Sequence, residues 1–353
     1  MRWFEPLLYP LAVLYGAATN LRNHLFDIGL KKSINFTVPT IAVGNLQVGG
    51  TGKTPMVEFI IHSLAKEYKI TVLSRGYGRK TRGFHWANSS SNAAEIGDEP
   101  LQIYSKYAPN INVAVGEDRV LAVPEILIQG PETELIVLDD AFQHRYLKAD
   151  AYIMLTTYQQ PFFEDKILPL GRLRENPKGA ERADVIIVTK CPQNVSDKEK
   201  DQYIRKVRAF SGENISILFS SLTYGTPLEI SNTGKKPKDQ AILLSGLANS
   251  SDFVKKVSEE YEVVGNFEFR DHHSYTLNDL KVVKNHYDKF PNSVILTTEK
   301  DAVKMRNPLF ETFRNEIPIF SLPIEVKFNE TDQKFLINFM HHLVEKKAYT
   351  REI

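Results

Sequence analysis

A single cysteine, Cys191, occurs in the 353 residues, so no internal disulfide can form. That suits a reducing compartment, and a lone thiol is most often a small core residue with no catalytic task. Excess charge is missing as well. The 44 Lys and Arg residues are met by 43 Asp and Glu, a formal charge of +1, which removes any global pull toward nucleic acid. Long apolar runs are scarce. The most apolar stretch, Trp3 to Tyr15, is broken by Glu5, Pro6 and Pro10 and falls short of the roughly 20 residues that a bilayer-spanning helix needs. Internal repeats and long low-complexity tracts are lacking too. The apolar and charged fractions are those of a globular protein, long enough for two domains.

What is present is a phosphate-binding loop. Thr40 to Asn45 is a short apolar run, Gly49-Gly50-Thr51-Gly52-Lys53-Thr54 follows, and an amphipathic stretch carries Val57, Ile60, Ile61 and Leu64. Strand, glycine-rich loop and helix in that order are the context of a Walker A loop. The glycines let backbone N–H groups turn toward a phosphate chain. Lys53 would reach the β- and γ-phosphates of ATP, and the Thr54 hydroxyl would hold Mg2+. The positive end of the helix faces the same anion, and Pro55 suits its first turn. One glycine of the strict pattern is absent, its place taken by Gln47.

Further strands are expected over 69–74, 111–115, 134–139, 151–155 and 185–189, alternating with helical stretches. That alternation predicts an α/β fold, a P-loop NTPase-type mostly parallel sheet with helices on both faces. Asp139 and Asp140 end one strand as a Walker B element does, delivering a carboxylate to Mg2+. Arg75 to Arg82 gathers basic residues and glycines at the carboxyl end of a strand, where open α/β sheets bind ligands. Arg75 and Tyr77 are therefore candidates for a phosphate-bearing substrate, as is Arg119 after the next strand. Asp98 opens a helix, where an acidic residue commonly serves as a cap.

The polar run 231–239 reads as a linker. A second, smaller α/β domain begins with a strand near 241 and continues through strands near 294–296 and 317–320, giving domains 1–220 and 221–353. Extended segments at 220–230 and 321–328 are expected to pair as a two-stranded linker. Asp271-His272-His273 lies in the second domain, where its histidines could be surface residues, metal ligands or a base oriented by a carboxylate. The apolar N-terminus, about residues 1–30, is expected to lie at a membrane interface with Arg22, Lys31 and Lys32 toward anionic lipid, or to pack on the domain.

Taken together, several stretches resemble the tetraacyldisaccharide 4'-kinases, the lipid A 4'-kinases of Gram-negative bacteria. They are Val43-Gly44-Asn45 with Val48 to Pro55, Ser74-Arg75-Gly76-Tyr77-Gly78, Gly97-Asp98-Glu99-Pro100, Leu138-Asp139-Asp140 with Phe142-Gln143-His144-Arg145, Leu173-Arg174-Glu175, Asp271-His272-His273 and Thr297 to Ala302. That family's loop also lacks the first Walker glycine. The resemblance implies a monotopic enzyme on the cytoplasmic face of the inner membrane, with two α/β domains. It implies transfer of the γ-phosphoryl group of ATP, with Mg2+, to the 4'-hydroxyl of a tetraacylated glucosamine disaccharide 1-phosphate in lipid A biosynthesis. Asp98 and His272 would activate that hydroxyl, Lys53 and Asp139 would share in catalysis, and Arg174 would join Arg75, Tyr77 and Arg119 at the substrate. The implied partners are the lipid substrate and the membrane surface, with no obligate protein partner. Because Asp98 falls in the first expected domain and His272 in the second, the pair is expected to meet only when the domains close. Two alternatives are a soluble P-loop kinase for a small metabolite, which has no use for the apolar N-terminus, and a P-loop ATPase switch, which needs no acceptor base.

Overall fold

A computed structural model describes residues 5–237 and 239–349. Strands run over Thr40–Asn45 (β1), Ile70–Ser74 (β2), His85–Trp86 (β3), Asn112–Val115 (β4), Leu135–Asp139 (β5), Ala151–Thr157 (β6), Val185–Thr189 (β7), Ser216–Tyr224 (β8), Leu228–Glu229 (β9), Gln240–Ser245 (β10), Glu262–Glu268 (β11), Ser293–Thr298 (β12), Ile319–Leu322 (β13) and Ile324–Phe328 (β14). Two compact units result. The first comprises residues 1–75, 109–222 and 326–353, and the second comprises 76–108 and 223–325.

In the first unit the strands lie in the order β14-β8-β7-β6-β1-β5-β2-β4. From β8 to β4 every neighbouring pair is parallel. β1, β2, β5 and β7 are buried at every position, and burial without alternation requires cover on both faces of the sheet. This is the doubly covered parallel sheet that the alternation of strands and helices predicts. Val43 pairs with Asp139, so β1 and β5 finish together and deliver the glycine-rich loop and the acidic pair to one edge.

The second unit has the sheet order β11-β10-β12-β13-β9, parallel except for the β13–β9 pair. Successive side chains of a strand point to opposite faces, and two cores follow from that. Ile242, Leu244 and Ile295 join one cluster, with Leu280, Val283 and Met305. Ala241, Leu243, Val294 and Leu296 join the other, with Phe253 and Val257.

Two boundaries differ from the sequence expectation. Residues 76–108, expected in the first domain, belong to the second unit. The reason is packing at long range: Lys106 pairs with Glu299 at 2.8 Å, and helix Asp98–Tyr107 lies against helix Glu299–Met305. The expected two-stranded pairing is present, with Ser221 reaching the Lys327 carbonyl and Thr223 the Glu325 carbonyl. It is an edge of the first sheet, however, because β8 also pairs with β7. Leu228–Glu229, the end of the same expected segment, pairs instead with β13.

Candidate active site

The loop after β1 is fixed at Thr51 by neighbours on the strands. Asn45 Nδ2 donates to Thr51 Oγ1 at 2.7 Å, and Thr189 Oγ1, at the end of β7, donates to the Thr51 carbonyl at 2.8 Å. Gly52 adopts φ 87° immediately before helix Lys53–Leu64, a left-handed conformation that a Cβ would strain. The first-turn N–H groups of that helix have no intrahelical carbonyl to meet, so they face a prospective anion together with Lys53. Lys53 Nζ lies 3.8 Å from Asp140 Oδ1.

Asp139 is buried at the end of β5 and accepts from Ser74 Oγ at 3.0 Å. Asp140 follows in a left-handed conformation, φ 48°, unusual for a residue with a side chain. Burial pushes the Asp140 carboxyl up, but Lys53 and Arg174 outweigh it and hold the group below its ordinary value. Thr54, Asp139 and Asp140 offer only oxygen donors. Mg2+ characteristically takes one or two carboxylates and completes its shell with phosphate oxygens and water, so this donor set fits the ion.

The arginines sort differently from the sequence expectation. Arg119 is only 2% exposed, and its guanidinium donates to the backbone carbonyls of Gly116, Glu117 and Asp139. It braces the turn behind Asp139 and is not available to a substrate. Burial lowers its pKa to about 10, still well above neutral pH. Arg174 is drawn to Asp140, and its Nη1 also reaches Gln143 Oε1 at 3.2 Å. Arg75 is exposed at the end of β2, and Tyr77 is exposed in the second unit with its ring 5.1 Å from that of His272.

In the second unit Asp98 and His272 already meet. His272 Nδ1 lies 3.0 Å from Asp98 Oδ2, so the expectation that domain closure is needed to form the pair is corrected. Gly97, at φ 95°, aims the helix that starts at Asp98, and a Cβ there would lie 3.0 Å from the Tyr77 carbonyl oxygen. His272 itself has φ 57°, a strained conformation for a non-glycine residue. Lys300 Nζ lies 3.2 Å from His272 Nε2. An ammonium can only donate, so in the neutral ring the proton sits on Nδ1 and is donated to Asp98. Burial raises the Asp98 carboxyl, but the His272 hydrogen bond and Lys304 bring it below its usual value. The Asp98 hydrogen bond raises His272 above its own. His273 is occupied elsewhere. It stacks on Phe269 at 4.6 Å and meets Asp279, the residue that closes the capping box of helix Leu277–Tyr287.

Helix Glu5–Asp27 is wired to the first unit by polar groups. Tyr15 Oη donates to the Arg174 carbonyl at 2.9 Å, Asn23 Nδ2 donates to Glu175 Oε2, and Arg22 donates to the Gln143 carbonyl at 2.8 Å. Arg22 thus faces protein, where the sequence suggested lipid. Leu7, Leu11, Val13, Leu14 and Leu21 are exposed. A groove of about 720 Å3 runs between this helix and Ile167 and Leu170. No helix among the described residues is long and apolar enough to cross a membrane.

The model of the LpxK family, tetraacyldisaccharide-1-P 4'-kinase, matches residues 4–343. The chain belongs to this family of kinases. The tetraacyldisaccharide 4'-kinase of Cytophaga hutchinsonii is 40% identical over 340 residues, covering 96% of this chain and 95% of its own. That of Flavobacterium psychrophilum is 39% identical, covering 96% and 98%. A crystal structure of LpxK from Aquifex aeolicus in complex with ATP superposes with a TM-score of 0.74 at 28% identity, covering 97% of this chain and 99% of that one. Lys304 and Asn23 lie outside every stretch that carries the family resemblance, and Glu175, inside Leu173-Arg174-Glu175, has no role assigned from sequence. The i, i+3 spacing of Asp301 and Lys304 was the available signal, since it places both on one helix face.

Proposed function

We propose that this chain transfers the γ-phosphoryl group of ATP to the 4'-hydroxyl of a tetraacylated glucosamine disaccharide 1-phosphate, as a peripheral enzyme on the cytoplasmic face of the inner membrane. The observation that carries the reading is the Asp98–His272 pair. A nucleotide switch has no need of a carboxylate set up to take a hydroxyl proton, whereas a kinase acting on an alcohol does.

In this reading the first unit handles the donor. Loop residues 49–52 and the first turn of helix Lys53–Leu64 wrap the phosphates, and Lys53 balances charge on the β- and γ-groups. Thr54, Asp139 and Asp140 would hold Mg2+, which when bound neutralises charge on the transferring group. The second unit handles the acceptor. Asp98 accepts the sugar proton, and His272 orients the carboxylate through its Nδ1–H. Phosphoryl transfer has a loose transition state, so most of the catalysis is positioning and charge balance. Arg75 and Tyr77 are assigned to the substrate, and the exposed leucines of the N-terminal helix to the bilayer that holds its acyl chains. That exposed apolar surface favours a lipid acceptor over a small soluble metabolite.

The test is transfer of labelled γ-phosphate from ATP to the tetraacyldisaccharide 1-phosphate presented in mixed micelles. Stoichiometric labelling of the lipid at the 4'-position is the expected result. ADP release that is independent of the lipid would overturn the proposal.

A further inference from the structure

We propose that Lys304 is a positioning residue for the acceptor-activating pair, its buried ammonium fixing Asp98 in place and as a carboxylate. The inference rests on the reading of Asp98 as the proton acceptor. Lys304 Nζ lies 3.1 Å from Asp98 Oδ2 and 3.1 Å from Asp301 Oδ1, with side-chain exposures of 7% for Lys304 and 11% for Asp98. A buried ammonium is costly unless it is paired. Asp301 alone would pair it, so the additional reach to Asp98 is not required for charge balance.

The anchor is rigid. Asp301 is fully buried, and its Oδ2 accepts from the Gly246 N–H at 2.8 Å and from Thr298 Oγ1 at 2.8 Å. Those bonds tie the end of β10 and the N-cap of helix Glu299–Met305 to one carboxylate. Lys304 projects from the last turn of that helix, and its Nζ lies over the Tyr275 ring, 5.8 Å from the centroid. The ammonium therefore has one place to be.

The geometry at Asp98 then divides the labour between its two oxygens. Oδ2 takes both His272 Nδ1 and Lys304 Nζ, whereas Oδ1 has no hydrogen-bond partner among the described residues. Oδ1 is the oxygen left to accept a proton from a hydroxyl. The charged groups facing this carboxylate are Glu99 on its own helix, Asp271 and His272 on the loop after β11, and Lys300, Asp301 and Lys304 on helix Glu299–Met305. Of the two lysines, only Lys304 touches Asp98. Lys300 is shared among Asp271, Glu99 and His272.

The experiment is the pH profile of kcat for lipid phosphorylation at saturating ATP. An opposite charge in contact lowers a carboxylate pKa by about 1–3 units. Lys304→Met is thus expected to move the acidic limb up by at least about one pH unit, leaving the KM for ATP unchanged. Lys304→Arg keeps the charge and is expected to keep the limb in place. If Lys304→Met does not fold, Lys304→Met/Asp301→Asn removes the cation with its anchor, and the same displacement is expected. An unmoved limb, including a loss of activity uniform across pH, overturns the inference. Asp98→Asn separates the two levels. An inactive Asp98→Asn with an unmoved limb in the Lys304 variants defeats the role of Lys304 alone. Full turnover in Asp98→Asn defeats the base assignment itself.

Discussion

Arg174 closes a fork on Asp140. Its Nη1 lies 3.0 and 3.2 Å from the two carboxylate oxygens, and Nη2 lies 3.2 Å from Oδ2. The second carboxylate of the Walker B pair is thereby held in its left-handed turn by a planar cation from the 171–175 loop. Bonds to a charged partner contribute about 1.5–3 kcal/mol, so Arg174→Met is expected to lower kcat/KM for ATP by about 10- to 100-fold. Arg174→Lys should recover little of this, because an ammonium cannot reproduce the fork. A rise confined to the lipid KM would return Arg174 to the substrate role that the sequence suggested.

Lys53 is expected to matter during transfer more than in folding, because its near neighbour is the half-buried carboxylate of Asp140, at the edge of the distance for an ion pair. Lys53→Ala should lower turnover by ~10²-fold or more, the usual cost of removing a charge-stabilising group at a transition state. Near-normal turnover in a folded Lys53→Ala protein would remove the loop from the ATP site.

Asp98 and His272 should behave as one unit. Each single alanine variant is expected to lower turnover by ~10²–10⁴-fold with little change in ATP affinity. The double variant should be scarcely worse than the poorer single, since residues that act together are not additive. Fully multiplicative losses in the cycle would separate them. His273→Ala should turn over normally and unfold at lower temperature, because it loses the contacts to Phe269 and Asp279.

His144 gives a pH signature in stability. Burial, with Arg119 nearby, lowers its pKa from 6.5 to about 4. The unfolded chain takes up this proton first, so the folded state loses ground as pH falls from about 6.5 toward about 4 and is unaffected above that window. The melting temperature of the wild type should fall more steeply across this range than that of His144→Gln. Parallel curves would show that another group sets the acid limit.

The N-terminal helix offers a choice of perturbations. Leu7→Ser/Leu14→Ser alters two exposed side chains and should reduce sedimentation with anionic vesicles while ATP binding is kept. Deleting residues 1–20 also removes Tyr15 from the Arg174 carbonyl, so ATP affinity should weaken in that form. Equal vesicle binding by the wild type and the double-serine variant would place the membrane contact elsewhere.

The strands were legible where an apolar run is bounded by turn residues. The expectations at 69–74, 134–139 and 185–189 fall within a residue of Ile70–Ser74, Leu135–Asp139 and Val185–Thr189. Glu262–Glu268 was missed because it is an edge strand with exposed and half-buried positions, so its sequence lacks the apolar run. The membership of residues 76–108 in the second unit was not legible either. It depends on Lys106 meeting Glu299 and Asp98 meeting His272, contacts that no local pattern encodes. The role of Lys304 was hidden for a related reason, since its i, i+3 spacing shows Asp301 as a neighbour but not the distant Asp98.

The connection between β2 and β4 has a consequence for how this chain can be divided. The two strands are parallel neighbours, with Thr71 opposite Asn112, and a parallel pair cannot be joined without a crossover of about a dozen residues or more. Here the crossover includes residues 76–108 and carries Asp98. The carboxylate assigned to the acceptor thus sits on a connection that the nucleotide-side sheet cannot do without. No single cut yields one polypeptide for each chemistry, and excising the segment would untie β4 from β2. Exchange of the acceptor half between relatives requires two grafts from separate places in the chain. Recombination at one point would give hybrids with mismatched halves, so specificity for donor and acceptor must be inherited together.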